Sequence, residues 1–158
     1  MRDVTRDLHI TPGHEKLLAL VGDWTGEEHV IESRWQRGGD ARGLITTRAV
    51  LGGFYIEQAY VQVRDGKTSF EGRGVFGYDT DDRLYKLFWF DSLGFQPPIP
   101  ASGAWVGDTL ALVRPSLRGA ARHIFTFTGP DSYTLRIEFS WEGGENWTEV
   151  LTGHFTRR

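Results

Sequence analysis

The stretch FEGRGVFGYDTDDRLYKLFWFD, residues 70–91, decides the fold class. From residue 70 to residue 78, apolar or small residues occupy every second position, as in a β-strand with one buried face. Residues 79–82 carry side chains that bond their own backbone in turns. Residues 84–91 alternate again, with large apolar groups on both faces. The stretch therefore predicts a β-hairpin whose second strand is covered on both sides.

Two glycines lie inside the first strand of this hairpin, at Gly72 and Gly74. Glycine within a strand costs backbone entropy, and it marks a bulge, a bend or the close approach of another segment. Such positions are typical of strongly curved sheets and barrels. The hairpin therefore predicts a curved sheet.

The rest of the chain predicts one short helix followed by many strands. Thr11 is suited to cap the helix, Pro12 to begin it, and Gly22 to end it after an apolar run. Glycine-containing turns separate apolar stretches that we predict as ten strands, at about residues 24–33, 43–51, 54–63, 69–78, 84–91, 103–106, 110–113, 122–128, 133–141 and 147–156. A meander of this kind favours an up-and-down barrel over a sandwich, because a barrel leaves no exposed edges.

Length and composition agree with one domain. The chain has 158 residues, of which 39% are hydrophobic, enough for a single core. We predict an all-β fold, with residues 1–158 forming a single antiparallel barrel and residues 1–10 forming a flexible N-terminal segment.

Charge and cysteine content exclude several function classes. The net charge of −3 gives no broad cationic field, so nucleic acid is not an expected partner. The chain has no cysteine, which removes disulfides and thiolate metal sites and fits a reducing compartment. Neither a signal peptide nor an apolar run of about 20 residues is evident. The expected location is the cytoplasm, without a membrane span.

Several motifs resemble domain-of-unknown-function family 1579: HEKLLALVGDW (14–24), AVLGGFYIEQ (49–58) and FWFDSLG (88–94). That family is similar to the calycins, which include lipocalins and fatty-acid-binding proteins. The resemblance implies a calycin-like barrel with a possible internal pocket. Gly22 and Trp24 resemble the lipocalin Gly-x-Trp signature, which implies a structural role for both and for Arg157 or Arg158 as a cover over the indole.

Candidate ligand-binding residues come from two strands. Tyr85, Trp89 and Asp91 share one face of the strand at residues 84–91, just before a proline-rich loop that we expect to border a pocket mouth. His123 and Phe125 share a face of a later strand.

Glu57 alternates with apolar residues, so it is an acid on an apolar face. Burial would raise the pKa of such a carboxyl group unless an arginine lay nearby. Glu57 is therefore a sixth candidate, with a structural ion pair in the barrel wall or a solvent-facing acid as the alternative reading.

No metal site is predicted, because the five histidines lack paired-ligand spacing. No cofactor is predicted either. Nitrobindin-like calycins bind haem through a histidine on a late strand, and that resemblance would make His154, or else His123, the haem ligand.

We predict a protein that binds a small, largely apolar or amphipathic molecule inside the barrel. The first alternative is a cavity enzyme that uses Glu57, Asp91 or His123 for acid–base chemistry. The second is a structural or oligomeric module, such as a homo-oligomer, whose barrel is filled by its own side chains. No catalytic motif is evident, which favours binding over catalysis.

Overall fold

Ten antiparallel strands close into a barrel in the computed structural model, which describes residues 8–158. Each strand pairs with its neighbours in sequence, and the first pairs with the last. The strands are β1 (Gly22–Val30), β2 (Gly39–Val50), β3 (Tyr55–Arg64), β4 (Lys67–Asp79), β5 (Leu84–Asp91), β6 (Ala101–Val106), β7 (Thr109–Ser116), β8 (Gly119–Gly129), β9 (Ser132–Ser140) and β10 (Thr148–Arg157). The predicted all-β barrel of ten strands is confirmed. Residues 1–7 of the segment predicted to be flexible lie outside the described residues.

Several strands are longer than their side-chain pattern indicated. β7 continues through Pro115, which pairs with Ala120 of β8. Proline is tolerated there because β6 pairs with β7 only as far as Val113, so the other side of the strand needs no ladder hydrogen bond.

A short helix covers one end of the barrel, as predicted. The helix α1 (Pro12–Glu15) runs into a 3₁₀ turn (Lys16–Leu20), and Leu17 and Leu20 are buried in the core. The helical segment ends at Leu20 and not at Gly22, which is the first residue of β1. We call this the closed end.

Trp24 is fully buried at the closed end, and its Nε1 donates to the Leu20 carbonyl at 3.0 Å. The guanidinium carbon of Arg157 lies 4.2 Å from the centre of the indole, and Arg157 Nη1 donates to the Val21 carbonyl at 2.6 Å. A Cβ on Gly22 would lie 2.2 Å from Arg157 Nη1, and Gly22 has a φ of +140°. Only glycine fits there, so Gly22 makes room for the arginine.

The two glycines of β4 make room for an indole in the same way. A Cβ on Gly72 would lie 2.2 Å from Cζ2 of Trp89, and one on Gly74 would lie 3.0 Å from Cε3. Trp89 therefore lies flat against a bare section of β4. Of the possible causes for strand glycines, close approach applies here.

Candidate functional site

The end of the barrel opposite the helix contains a cavity of about 160 Å³. Inward-facing residues of most strands and two loops line it. Its apolar lining includes Ile45, Phe70, Trp89, Leu93, Phe95, Phe125, Leu135, Ile137, Phe139 and Leu151. Its polar lining includes Gln58, Tyr60, Gln62, Asp91, Arg114, Ser116 and His123.

Trp89 is the central aromatic group of the wall. Its ring centre lies 6.3 Å from that of Tyr60 and 5.5 Å from that of His123, both in tilted arrangements. Phe70 extends the surface, 6.1 Å from Tyr60. These contacts give a continuous aromatic wall.

A buried polar network lies behind this wall. The Tyr60 hydroxyl lies 2.8 Å from both carboxylate oxygens of Glu28 and donates to them. Gln62 Nε2 donates to the Tyr60 oxygen at 3.1 Å, and Ser69 donates to Gln62 Oε1 at 3.0 Å. Each polar group of this network thus has a partner, which holds Tyr60 and Gln62 in fixed positions at the cavity.

Glu28 is titratable near neutral pH. Burial raises the pKa of its carboxyl group to about 7, against the opposing effect of the hydrogen bond from Tyr60. Burial also raises the pKa of the Tyr60 hydroxyl well above its ordinary value, and the charge of Glu28 adds to that shift. Tyr60 is therefore a fixed hydrogen-bond donor.

Asp91 is held by two hydrogen bonds at the end of β5. Trp89 Nε1 donates to its Oδ2 at 2.9 Å, and the Leu93 N–H donates to its Oδ1 at 3.0 Å. The carboxylate therefore orients the indole and fixes the start of the following loop.

His123 is a neutral side chain at physiological pH. Burial, and to a lesser extent the nearby charge of Arg114, lowers the pKa of its imidazole to about 4. The ring contributes hydrogen-bonding capacity to the wall without positive charge.

The wall is thinnest between β5 and β7, near Asp91 and Arg114. β5 and β6 pair over three residues only, from Tyr85 to Leu87, so the last part of β5 has no partner on that side. The loop between them, residues 92–100, covers this gap, and its Leu93 and Phe95 line the cavity. The prolines of this loop are not among the lining residues.

Trp89, Asp91, His123 and Phe125 line the cavity, and the remaining two candidates do not. Tyr85 faces inward at the closed end, where its hydroxyl donates to the Gly13 carbonyl at 2.6 Å. It attaches the helix to the barrel.

Glu57 does not line the cavity, and its position fits the alternative reading, an exposed acid paired on the barrel wall. Its side chain is 51% exposed and lies 3.9 Å from Arg73 on the outer wall. The inner face of β3 belongs to the alternate residues Ile56, Gln58 and Tyr60, which are buried. The apolar neighbours of Glu57 are half-exposed residues of the outer surface, so apolar alternation alone indicated the wrong side.

His154, the alternative haem ligand, lies on the outer surface, where its Nδ1 is 3.1 Å from Thr134 Oγ1. Within residues 8–158, no group of three histidine, cysteine or acidic residues could hold a metal ion. In the same part of the chain, no helix is both long and apolar enough to cross a membrane.

Three site residues escaped the sequence analysis: Glu28, Tyr60 and Arg114. Glu28 could have been found by counting two residues at a time from Trp24, because that parity places it inside. Tyr60 follows from the same count along β3 once Ile56 is taken as buried. Arg114 gives no such signal, since its strand was predicted to end at residue 113.

Comparison with known proteins identifies the family. The chain belongs to the family described as "Protein of unknown function (DUF1579)", which matches residues 10–157. Among curated proteins, no sequence relative was found.

Two solved structures share the fold at low sequence identity. Rv2717c from M. tuberculosis has a TM-score of 0.70 and 16% identity, with 95% of this chain and 99% of that chain covered. The S-type phycobiliprotein lyase CPES from Guillardia theta has a TM-score of 0.65 and 15% identity, with 91% of each chain covered. At these identities the likeness shows the fold alone.

Proposed function

We propose that this member of the DUF1579 family binds a small, largely apolar molecule in the cavity beside Trp89. The observation that carries the proposal is the composition of the lining, aromatic walls with a few polar groups held in place. Small-molecule sites have this makeup, because apolar walls supply affinity and fixed polar groups supply orientation.

The size of the cavity limits the buried part of the ligand. Its volume of about 160 Å³ is close to the roughly 150 Å³ of an engineered apolar cavity that takes up benzene. A group the size of one aromatic ring, or a short branched chain, fills such a space. The loop at residues 92–100 covers the gap between β5 and β7, so a longer ligand would extend past Leu93 and Phe95 to reach solvent.

The polar groups are positioned to orient a ligand. Tyr60 and Gln62 are fixed by the Glu28 network at one side of the cavity, and Asp91 is fixed by Trp89 at its mouth. Asp91→Asn should change ligand preference more than stability, because the amide oxygen keeps one acceptor for Trp89 Nε1.

The acid–base alternative has less support. Glu57 lies outside the barrel, and the carboxylate of Asp91 already accepts two hydrogen bonds. The remaining candidate, His123, has a lowered imidazole pKa that leaves it a weak base. We therefore retain binding as the proposed function.

The test uses neutral molecules of one-ring size: indole, toluene, 4-ethylphenol and 1-octanol. Ligand-observed NMR and calorimetry on the wild-type protein should show saturable binding of at least one of them. Trp89→Ala should weaken that binding by about 1–3 kcal/mol, the expected loss for an aromatic contact.

Phe88→Ala is the matched control, because Phe88 precedes Trp89 but is 44% exposed on the outer face of the same strand. This variant should bind as the wild type does. An equal loss in both variants would refute the proposed function, and so would the absence of saturable binding by every member of the panel and by 3-phenylpropionate and its amide.

A further inference from the structure

We infer that the molecule bound in this cavity is a carboxylic acid whose carboxylate pairs with Arg114; the inference rests on the proposed function and names its ligand class. Arg114 lies near the mouth, on β7, beyond the buried residues Leu110 and Leu112 of the same face. Its side chain is half-buried and lines the cavity.

Arg114 has no partner in the part of the chain that the structure describes. Within residues 8–158, its guanidinium makes no hydrogen bond and has no carboxylate within 4.0 Å. Arg122 and Arg136, which lie on the next two strands, both pair with Glu138. An arginine that was present only to stabilise the barrel would be expected to have such a partner.

The groups around Arg114 do not neutralise it by contact. Asp91 raises the pKa of the guanidinium by its charge, but the carboxylate oxygens are bonded to Trp89 and Leu93. Arg118 adds a second cation at the mouth, and burial lowers the pKa of Arg114. His123 is neutral. The mouth is therefore short of negative charge.

A carboxylate fits this position better than a phosphate. A guanidinium presents two parallel N–H donors that match the two oxygens of one carboxylate. A phosphate monoester would bring up to two charges and a third oxygen against the apolar wall, where Arg114 alone cannot satisfy them. The second guanidinium, that of Arg118, is exposed and lies 4.0 Å from the centre of the Phe95 ring. The monoanion of a carboxylic acid needs only the pair that Arg114 offers.

The position of Arg114 also sets the direction of the ligand. Arg114 pairs with Ala121 near the mouth, while the deeper pair, Leu110 with Phe125, lies in the core. The acid therefore enters with its apolar end first and leaves its carboxylate at the mouth. The ring or chain then packs against Trp89 and Phe125.

The experiment compares 3-phenylpropionate with 3-phenylpropionamide at pH 7.5 by calorimetry. The two probes share an apolar group of one-ring size and differ in charge. The wild-type protein should bind the acid at least tenfold more tightly than the amide. Arg114→Gln should bring the acid to the affinity of the amide and leave the amide unchanged, and Arg114→Lys should restore part of the difference.

Arg73→Gln is the matched control, because Arg73 is 71% exposed on the outer wall. It should keep the preference for the acid. Thermal melts of each variant establish that the barrel is folded. If the amide binds as tightly as the acid, the inference fails and the proposed function stands. If phenyl phosphate binds more tightly than the acid, the carboxylate assignment fails. If neither 3-phenylpropionate nor its amide binds and the neutral panel also fails, both proposals are refuted.

Discussion

The two ends of the barrel each carry an arginine, and the two arginines are bonded very differently. At the closed end, Arg157 stacks on Trp24 and donates to the carbonyls of Val21 and Pro130. It also forms an ion pair with Asp131 at 3.0 Å. At the opposite end, where the cavity lies, Arg114 has no such partner within the described residues.

This difference is the one expected between a structural end and, under the proposed function, an end that binds a ligand. At the closed end, the side chains of Trp24, Tyr85 and Arg157 donate to backbone carbonyls, so the helix is held to β1, β5 and β10. The half of the barrel that contains the cavity keeps three ionisable groups whose charged form is disfavoured by burial. These are the Glu28 carboxyl, the His123 imidazole and the Arg114 guanidinium. Proteins retain such groups where function requires them, at a cost in stability.

The largest expected effect is on the pH dependence of the free energy of unfolding. It tests the buried ionisable groups in the half of the barrel that contains the cavity. The ordinary pKa of Glu28 is 4.5, and the folded protein raises it to about 7. Between these values the folded state binds more protons than the unfolded state, so Glu28 makes stability fall as pH rises from about 4.5 to about 7. Well above pH 7, the raised pKa of Glu28 lowers the free energy of unfolding by about 3 kcal/mol relative to its value at acidic pH.

Glu28→Gln removes this charge and keeps an acceptor for the Tyr60 hydroxyl. In urea unfolding, the variant should be more stable than the wild type by up to about 3 kcal/mol at pH 8 and nearly equal to it at pH 4.5. Glu27→Gln is the control, because Glu27 is 80% exposed on the same strand. Parallel pH profiles for the wild type and Glu28→Gln would show that the carboxyl group is not buried as described.

The next effect compares the two arginines directly. Arg157→Ala should lower the free energy of unfolding by about 2 kcal/mol, because the stack on Trp24 and several hydrogen bonds are lost. Arg114→Ala should change it by less than about 0.5 kcal/mol, since no contact partner is lost.

Arg158→Ala is the control for Arg157, because Arg158 contributes a backbone hydrogen bond to Asp23 that alanine retains. Urea denaturation of the three variants measures all of these changes. Equal losses for Arg157→Ala and Arg114→Ala would remove the distinction between the two ends.

The smallest expected effect is at Glu57, on the outer wall. Glu57→Gln should change stability by less than about 0.5 kcal/mol, because its contact with Arg73 is long and exposed. Binding of the neutral probes and of 3-phenylpropionate should not change. A change in probe affinity would place Glu57 back among the ligand contacts.

The residues that the sequence analysis misjudged or missed have a common cause. The alternation of apolar and polar residues along a strand does not show which face of the strand lies inside the barrel. Glu57 and Tyr60 lie on opposite faces of β3, and the apolar residues around Glu57 made it a candidate although its side chain lies outside the barrel. The same reasoning gave the correct face for Trp89, whose ring lies against Gly74, its partner on β4, and against Gly72 two residues away. Glycines on a neighbouring strand therefore indicate which face holds a large ring, and a count of apolar residues does not.

The sequence by itself determined the barrel. Alternation along ten segments, turn residues between them and a helix ahead of the first strand are local properties, and antiparallel neighbours follow from short connections. The tertiary structure alone decided the site. Glu28, Tyr60 and Arg114 lie on three strands far apart in the chain, and closure of the barrel brings them to one end of the interior. Their pKa shifts and partners depend on burial and distance in space, which local sequence patterns do not encode.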